Sequence, residues 1–199
     1  MKPLRFLLSI VLMSLSTVAF AQHEAHKAAD QPAPSDAQKS FTQLKTLSGT
    51  WKASVTTFPP QPQMGDGAIG QVSLRITSRG NAIVHEMKEA GKPDDPVKYD
   101  HPVTMFYLDE DRLLLTHYCD AGNRPRMVAR TSPDGKTVEF DFLDVAGSTK
   151  YGHMQHALFT IIDANHHTED WTYLLPGDKP VRAHLDMQRI ENGSGGSGN

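Results

Sequence analysis

The chain has 199 residues, 23 of them acidic and 20 basic, for a formal net charge of −3. A general nucleic-acid binder carries a basic face, so this balance argues against one. A single cysteine excludes an internal disulfide, and the chain must therefore be held by its own apolar core, at a length that suits one domain.

The N-terminus reads as a secretory signal over 1–21. Lys2 and Arg5 form a positive start, and an apolar run from Phe6 to Leu15 follows, too short to span a bilayer comfortably. Ala19-Phe20-Ala21 is a small-residue cleavage site, which predicts a mature chain starting at Gln22 and export to the periplasm or medium. No later segment is apolar enough to insert in a membrane after cleavage. Residues 22–35 mix histidine, alanine, proline and charge without period and read as a disordered leader. His23 and His26 lie in it and read as solvated side chains. The domain itself is expected over 36–191. A Gly/Ser segment at 192–199 reads as a flexible tail.

Ser35 with Gln38 has the spacing of a capping box. Phe41, Leu44 and Leu47 give one apolar stripe, which together predict a short helix. From Thr50 the period changes from helical to alternating. Strands are expected at 50–57, 71–77, 81–89, 103–109, 112–119, 126–132, 137–145, 156–163, 168–175 and 181–190. Turn chemistry separates them, as in Arg79-Gly80-Asn81, Asp109-Glu110-Asp111 and Pro176-Gly177-Asp178-Lys179. About ten short strands with almost no intervening helix predict an all-β fold, an antiparallel closed barrel or a sandwich. Val138, Phe140 and Phe142 alternate with Glu139 and Asp141. Val181, Ala183, Leu185 and Met187 alternate with Arg182, His184, Asp186 and Gln188. Such alternation belongs to a sheet curled around one core. Arg189 breaks it by falling on the apolar parity.

The densest cluster of polar and soft groups is 115–127, Leu-Thr-His-Tyr-Cys-Asp-Ala-Gly-Asn-Arg-Pro-Arg-Met. His117 shares a face with Leu113, Leu115 and Cys119, while Thr116 and Tyr118 take the other. If the leucines face inward, His117 enters the interior, where it could bind a ligand or move a proton. Cys119 reads as a small buried hydrophobe. Arg126 could hold a ligand carboxylate or pair with Asp120 or Asp144, and Asn123 suits a left-handed turn position. His153 and His156 fall on opposite faces of a strand, or together on a helical turn. Trp171 and Tyr173 share a face that could line a pocket. His166 and His167 read as a solvent-facing turn.

Gly49-Thr50-Trp51 at the start of the first strand and Arg189 at the end of the last resemble the lipocalin-like (calycin) barrels. In those barrels a G-x-W tryptophan closes the base and a late arginine packs over it. The 115–127 block and Met105-Phe106-Tyr107-Leu108-Asp109 also look like a motif of uncharacterised exported bacterial proteins of lipocalin-like fold. That resemblance implies a barrel with a binding cavity and carries no activity. Nitrobindin-type haem barrels are a more distant likeness. Their G-x-W-x-G-x-G pattern is half present, because Lys52, Ala53 and Ser54 stand in its second part.

These readings converge on an exported protein holding a small apolar or amphipathic molecule. The expected ligand-binding residues are His117, Tyr118, Arg126, His156 and Trp171. Two alternatives stay open: an enzyme with His117 as acid–base and Arg126 stabilising an anion, or a haem or metal binder through His117 and His156. No motif demands a cofactor, and no H-E-x-x-H or cysteine pair marks a metal site. Oligomeric state is not legible from the sequence.

Overall fold

A computed structural model describes residues 33–131 and 135–190; the expected signal segment, the Gly/Ser tail and all but the end of the expected leader lie outside them. The first element is helix α1 (Asp36–Lys45). Ser35 caps it through a complete capping box: its side chain accepts from Gln38 N, and the Gln38 side chain accepts from Ser35 N. Phe41 and Leu44, with Leu47 just beyond, form the buried stripe.

Ten strands follow: β1 (Gly49–Phe58), β2 (Ile69–Thr77), β3 (Ala82–Glu89), β4 (Val103–Asp109), β5 (Arg112–Tyr118), β6 (Arg124–Thr131), β7 (Thr137–Ala146), β8 (His153–Asp163), β9 (His166–Leu175) and β10 (Lys179–Arg189). Each pairs antiparallel with its sequence neighbour, and β1 pairs with β10, closing the barrel. Closure removes the unpaired edges that an open sheet would leave.

One end is sealed. Trp51 is fully buried, and its indole N–H donates to Leu47 O at 2.9 Å. Arg189, directly opposite in the β1–β10 register, lays its guanidinium 4.1 Å from the indole centroid. The guanidinium donors go to the carbonyls of Thr46, Ser48 and Ala164. Gly49 is needed for this closeness: its φ is +147°, and a Cβ there would lie 2.3 Å from Arg189 Nη1. Above the plug the barrel is packed solid by Leu74, Ile83, Phe106, Leu115, Phe140, Phe159 and Met187.

Among the described residues no helix is long and apolar enough to cross a membrane.

Candidate functional site

The half of the barrel away from Trp51 is not filled. It holds a cavity of about 570 Å³ whose wall includes Val55, Met87, Met154, Ala183 and Leu185. Loops at 62–68, 100–102 and 119–121 border it. Four carboxylate residues, Asp66, Glu89, Asp100 and Asp120, contribute to its lining against one lysine, Lys88.

Where cavity and packed core meet, the inward apolar pattern is interrupted by buried polar side chains. His85, Thr104 and His117 stand side by side on β3, β4 and β5, because His85 is in register with Thr104 and Thr104 with His117. All three are buried and line the cavity. β9 supplies His167, Glu169, Trp171 and Tyr173 on its inward parity.

Glu169 is completely buried and organises this row. Its Oε2 accepts from Trp171 Nε1 at 2.9 Å and lies 3.1 Å from His85 Nε2; its Oε1 lies 3.1 Å from His167 Nε2. Burial alone would push this carboxyl up. The His85 and His167 imidazoles outweigh that and hold it well below the usual carboxylate range. An ionised carboxylate only accepts, so both Nε2 atoms carry protons, which fixes the ring orientations and the Trp171 indole. His167 Nδ1 is buried without a partner among the described residues, and the ring meets Trp51 edge-on with centroids 4.2 Å apart.

His117 is tied differently. Its Nδ1 lies 2.8 Å from Thr104 Oγ1, and its ring centroid is 5.6 Å from that of Trp171. Burial, aided by nearby His85, lowers its pKa from 6.5 to about 4, so the ring is neutral at physiological pH. Nearer the opening, burial pushes the Cys119 thiol up, which keeps it protonated and unreactive. Tyr173, beside it, is pushed up to about 12 by burial and by Cys119, and its hydroxyl donates to Tyr151 O at 2.9 Å.

The structure brings two of the five expected site residues to the cavity and leaves three outside. His117 and Trp171 line it. Tyr118 is half exposed on the outer face, as the inward turn of its neighbour His117 requires. Arg126 also faces out. Met127 takes the buried position beside it, and the guanidinium forks onto Asp144, with Nε to Oδ1 at 2.8 Å. Of the expected partners of Arg126, the structure shows Asp144.

His156 is outside because it alternates with the fully buried Ala157 and Phe159. The β8–β9 register skips Gln155, so Met154 lies opposite inward Tyr173 and His156 opposite Thr172, next to inward Trp171. His156 Nε2 bonds Glu139 Oε1 at 2.8 Å. Glu139, Asp141 and His156 place their ligand atoms within 4.8 Å of one another, but Arg130 already pairs with Asp141.

Two further expectations are corrected. His167 is not in a solvent-facing turn; β9 begins at His166, and His167 is fully buried. Asn123 does not take the left-handed turn position, which Gly122 occupies with φ +81°. Its buried amide instead donates to Ser148 O and Gly152 O, pinning the 119–123 turn to the loop before β8.

His85, Thr104 and Glu169 are the site residues that the sequence reading missed. The signal was present: His85 alternates in phase with Ile83 and Met87, and Glu169 in phase with Trp171 and Tyr173. Inward parity for a histidine and a glutamate marks a polar network or a site.

No protein-family model and no curated protein matches the chain. Among solved structures, the chain is similar to a protein of unknown function of the DUF3598 family from Nostoc punctiforme, at 9% identity, covering 76% of this chain and 98% of that one, with a TM-score of 0.24. A likeness at that level supports no inference about this chain's activity.

Proposed function

We propose that the chain is an exported, lipocalin-like barrel that holds a small, largely apolar molecule in its cavity. The observation that carries this reading is the half-empty barrel. A void of about 570 Å³ with an apolar wall and a few converging polar groups is the usual form of a small-molecule site. His117 and Trp171, with His85 and Thr104 beside them, are the groups that would orient the ligand. Tyr118, Arg126 and His156 have no part in it. The lipocalin-like assignment draws on the Trp51–Arg189 closure, and export on Lys2, Arg5 and Ala19-Phe20-Ala21.

Binding without turnover is preferred over acid–base catalysis because His117, at about 4, is a poor base at neutral pH. Haem or metal ligation through His117 and His156 together is set aside because the two project to opposite sides of the barrel wall.

Native mass spectrometry of protein purified from its own host tests the reading, with Ala183→Phe as the control that fills the cavity. A small molecule retained by the wild type and absent from the variant is the expected result. Equal retention by both would place the molecule elsewhere and overturn the proposal.

A further inference from the structure

We infer that the cavity selects an uncharged, hydroxyl-bearing ligand, an alcohol or phenol on an apolar skeleton, and discriminates against the matching carboxylate and ammonium. This rests on the binding reading above and names the chemical class that the site would take.

The recognising atom is His117 Nε2. Thr104 occupies the other ring nitrogen, His117 borders the cavity, and only 5% of the residue is exposed. Nε2 has no hydrogen-bond partner among the described residues. Nε2 is reachable from the cavity, so a ligand that covers it without bonding it leaves a polar atom buried and unmatched, and one that meets it gains affinity.

The Thr104 hydroxyl can donate to Nδ1 or accept from it. In the first case Nε2 offers an N–H; in the second, a lone pair. A ligand hydroxyl answers either through a single oxygen. A carboxylate answers only the first and an ammonium only the second.

Charge works in the same direction. The neutral His117 supplies no counter-charge to a carboxylate, and four carboxylate residues line the cavity against one lysine. An ammonium would be drawn to those acids, but the acid in the buried polar row beside His117, Glu169, has no oxygen free for it. Glu169 is fully buried, and its oxygens already contact His85, His167 and Trp171. Taking an unpaired charge out of water costs far more than taking out a hydroxyl that keeps its hydrogen bond. The apolar walls set only the rest of the ligand. Met87 and Met154 lie among them, and their flexible thioether chains adapt to varied skeletons.

The test uses four fluorescent probes of one shape: 1-pyrenemethanol, 1-pyrenecarboxylate, 1-pyrenemethylammonium and 1-methylpyrene. They are titrated into wild type, His117→Phe, His117→Gln and Ala183→Phe at pH 7.5, with far-UV circular dichroism confirming the fold. The wild type should bind the alcohol about tenfold or more tightly than each of the others, the value of one well-made buried hydrogen bond. His117→Phe should erase the preference for the alcohol over 1-methylpyrene, and His117→Gln, which keeps a donor and an acceptor, should retain part of it. If all four probes bind the wild type equally and Ala183→Phe blocks them, the cavity binds ligands but the hydroxyl inference is wrong. If His117→Phe keeps the full preference, His117 is not the recognising group and the inference is equally wrong. If no probe binds the wild type, or Ala183→Phe binds them all as the wild type does, the binding reading falls and the inference with it.

Discussion

The neutral, buried His117 ties stability to pH in a way that one substitution can isolate. In the unfolded chain a histidine titrates near 6.5; in the barrel burial lowers His117 to about 4. Between these values the unfolded state holds a proton that the folded state does not. Stability therefore falls as pH drops through this window and is constant, for this group, above 6.5 and below 4. The gap is about 2.5 pH units, and at about 1.4 kcal/mol per unit His117 removes about 3 kcal/mol between pH 7 and pH 4. With 5% of the residue exposed, solvent screening does not reduce this greatly. The perturbation is His117→Phe, and the assay is urea unfolding at pH 7, 6, 5 and 4. Other groups titrate in both proteins, so the informative quantity is the difference between them. The stability of the wild type relative to the variant should drop by about 3 kcal/mol over that range. A pH-independent difference would refute the argument, because it would mean that His117 titrates alike in the folded and unfolded chains.

Trp51→Ala should destabilise by about 3–5 kcal/mol, as other large buried truncations do, read as a shift in the urea midpoint without a change in slope. Gly49→Ala should also destabilise, because its Cβ would displace the Arg189 guanidinium from the indole; an unchanged midpoint would deny Gly49 that role. Arg126→Ala should leave 1-pyrenemethanol affinity unaltered and change stability by about 1 kcal/mol or less, as exposed ion pairs do; a large loss of affinity would return Arg126 to the site. N-terminal sequencing of protein exported from a bacterial host should begin at or near Gln22, and an intact Met1 recovered from periplasm or medium would contradict the signal reading.

The barrel was legible because its strands follow simple alternation. Val138 and Phe140 face in, as do Val181, Leu185 and Met187, and the turn residues between runs mark the strand ends to within a few positions. The capping box at Ser35 was legible because it depends on residue spacing and type, whereas the Trp51–Arg189 contact was legible only through the resemblance of Gly49-Thr50-Trp51 and Arg189 to lipocalin-like barrels. Bulges were not. The register skips Gln155 in β8 and shifts after Arg126, where Met127 pairs with Phe142 and leaves Leu143 out of the register. One extra residue in a strand reverses the parity of everything beyond it, and its composition need not announce it. The expected site for His156 failed because the segment is a strand, not a helical turn, and His156 alternates with buried Ala157 and Phe159. Arg126 failed for a different reason: a polar residue next to a turn satisfied itself on Asp144 across the outer face, a choice that needs the partner strand's register.

The polar groups at the cavity floor are not equally replaceable, and this bears on how the site can be probed. Glu169 connects His85, His167 and Trp171, so removing it leaves several buried donors without an acceptor. Breaking one partner of a buried charged network typically costs about 3–5 kcal/mol, enough to confuse loss of function with loss of fold. Among the described residues, His117 hydrogen-bonds one side chain, that of Thr104. Replacing it strands one hydroxyl, which can turn toward the adjoining cavity. A change in ligand preference at His117 can therefore be separated from a change in stability, whereas the same experiment at Glu169 cannot make that separation. The network around Glu169 sets the positions of Trp171 and His85, while His117 stays outside it with one ring nitrogen open to the cavity.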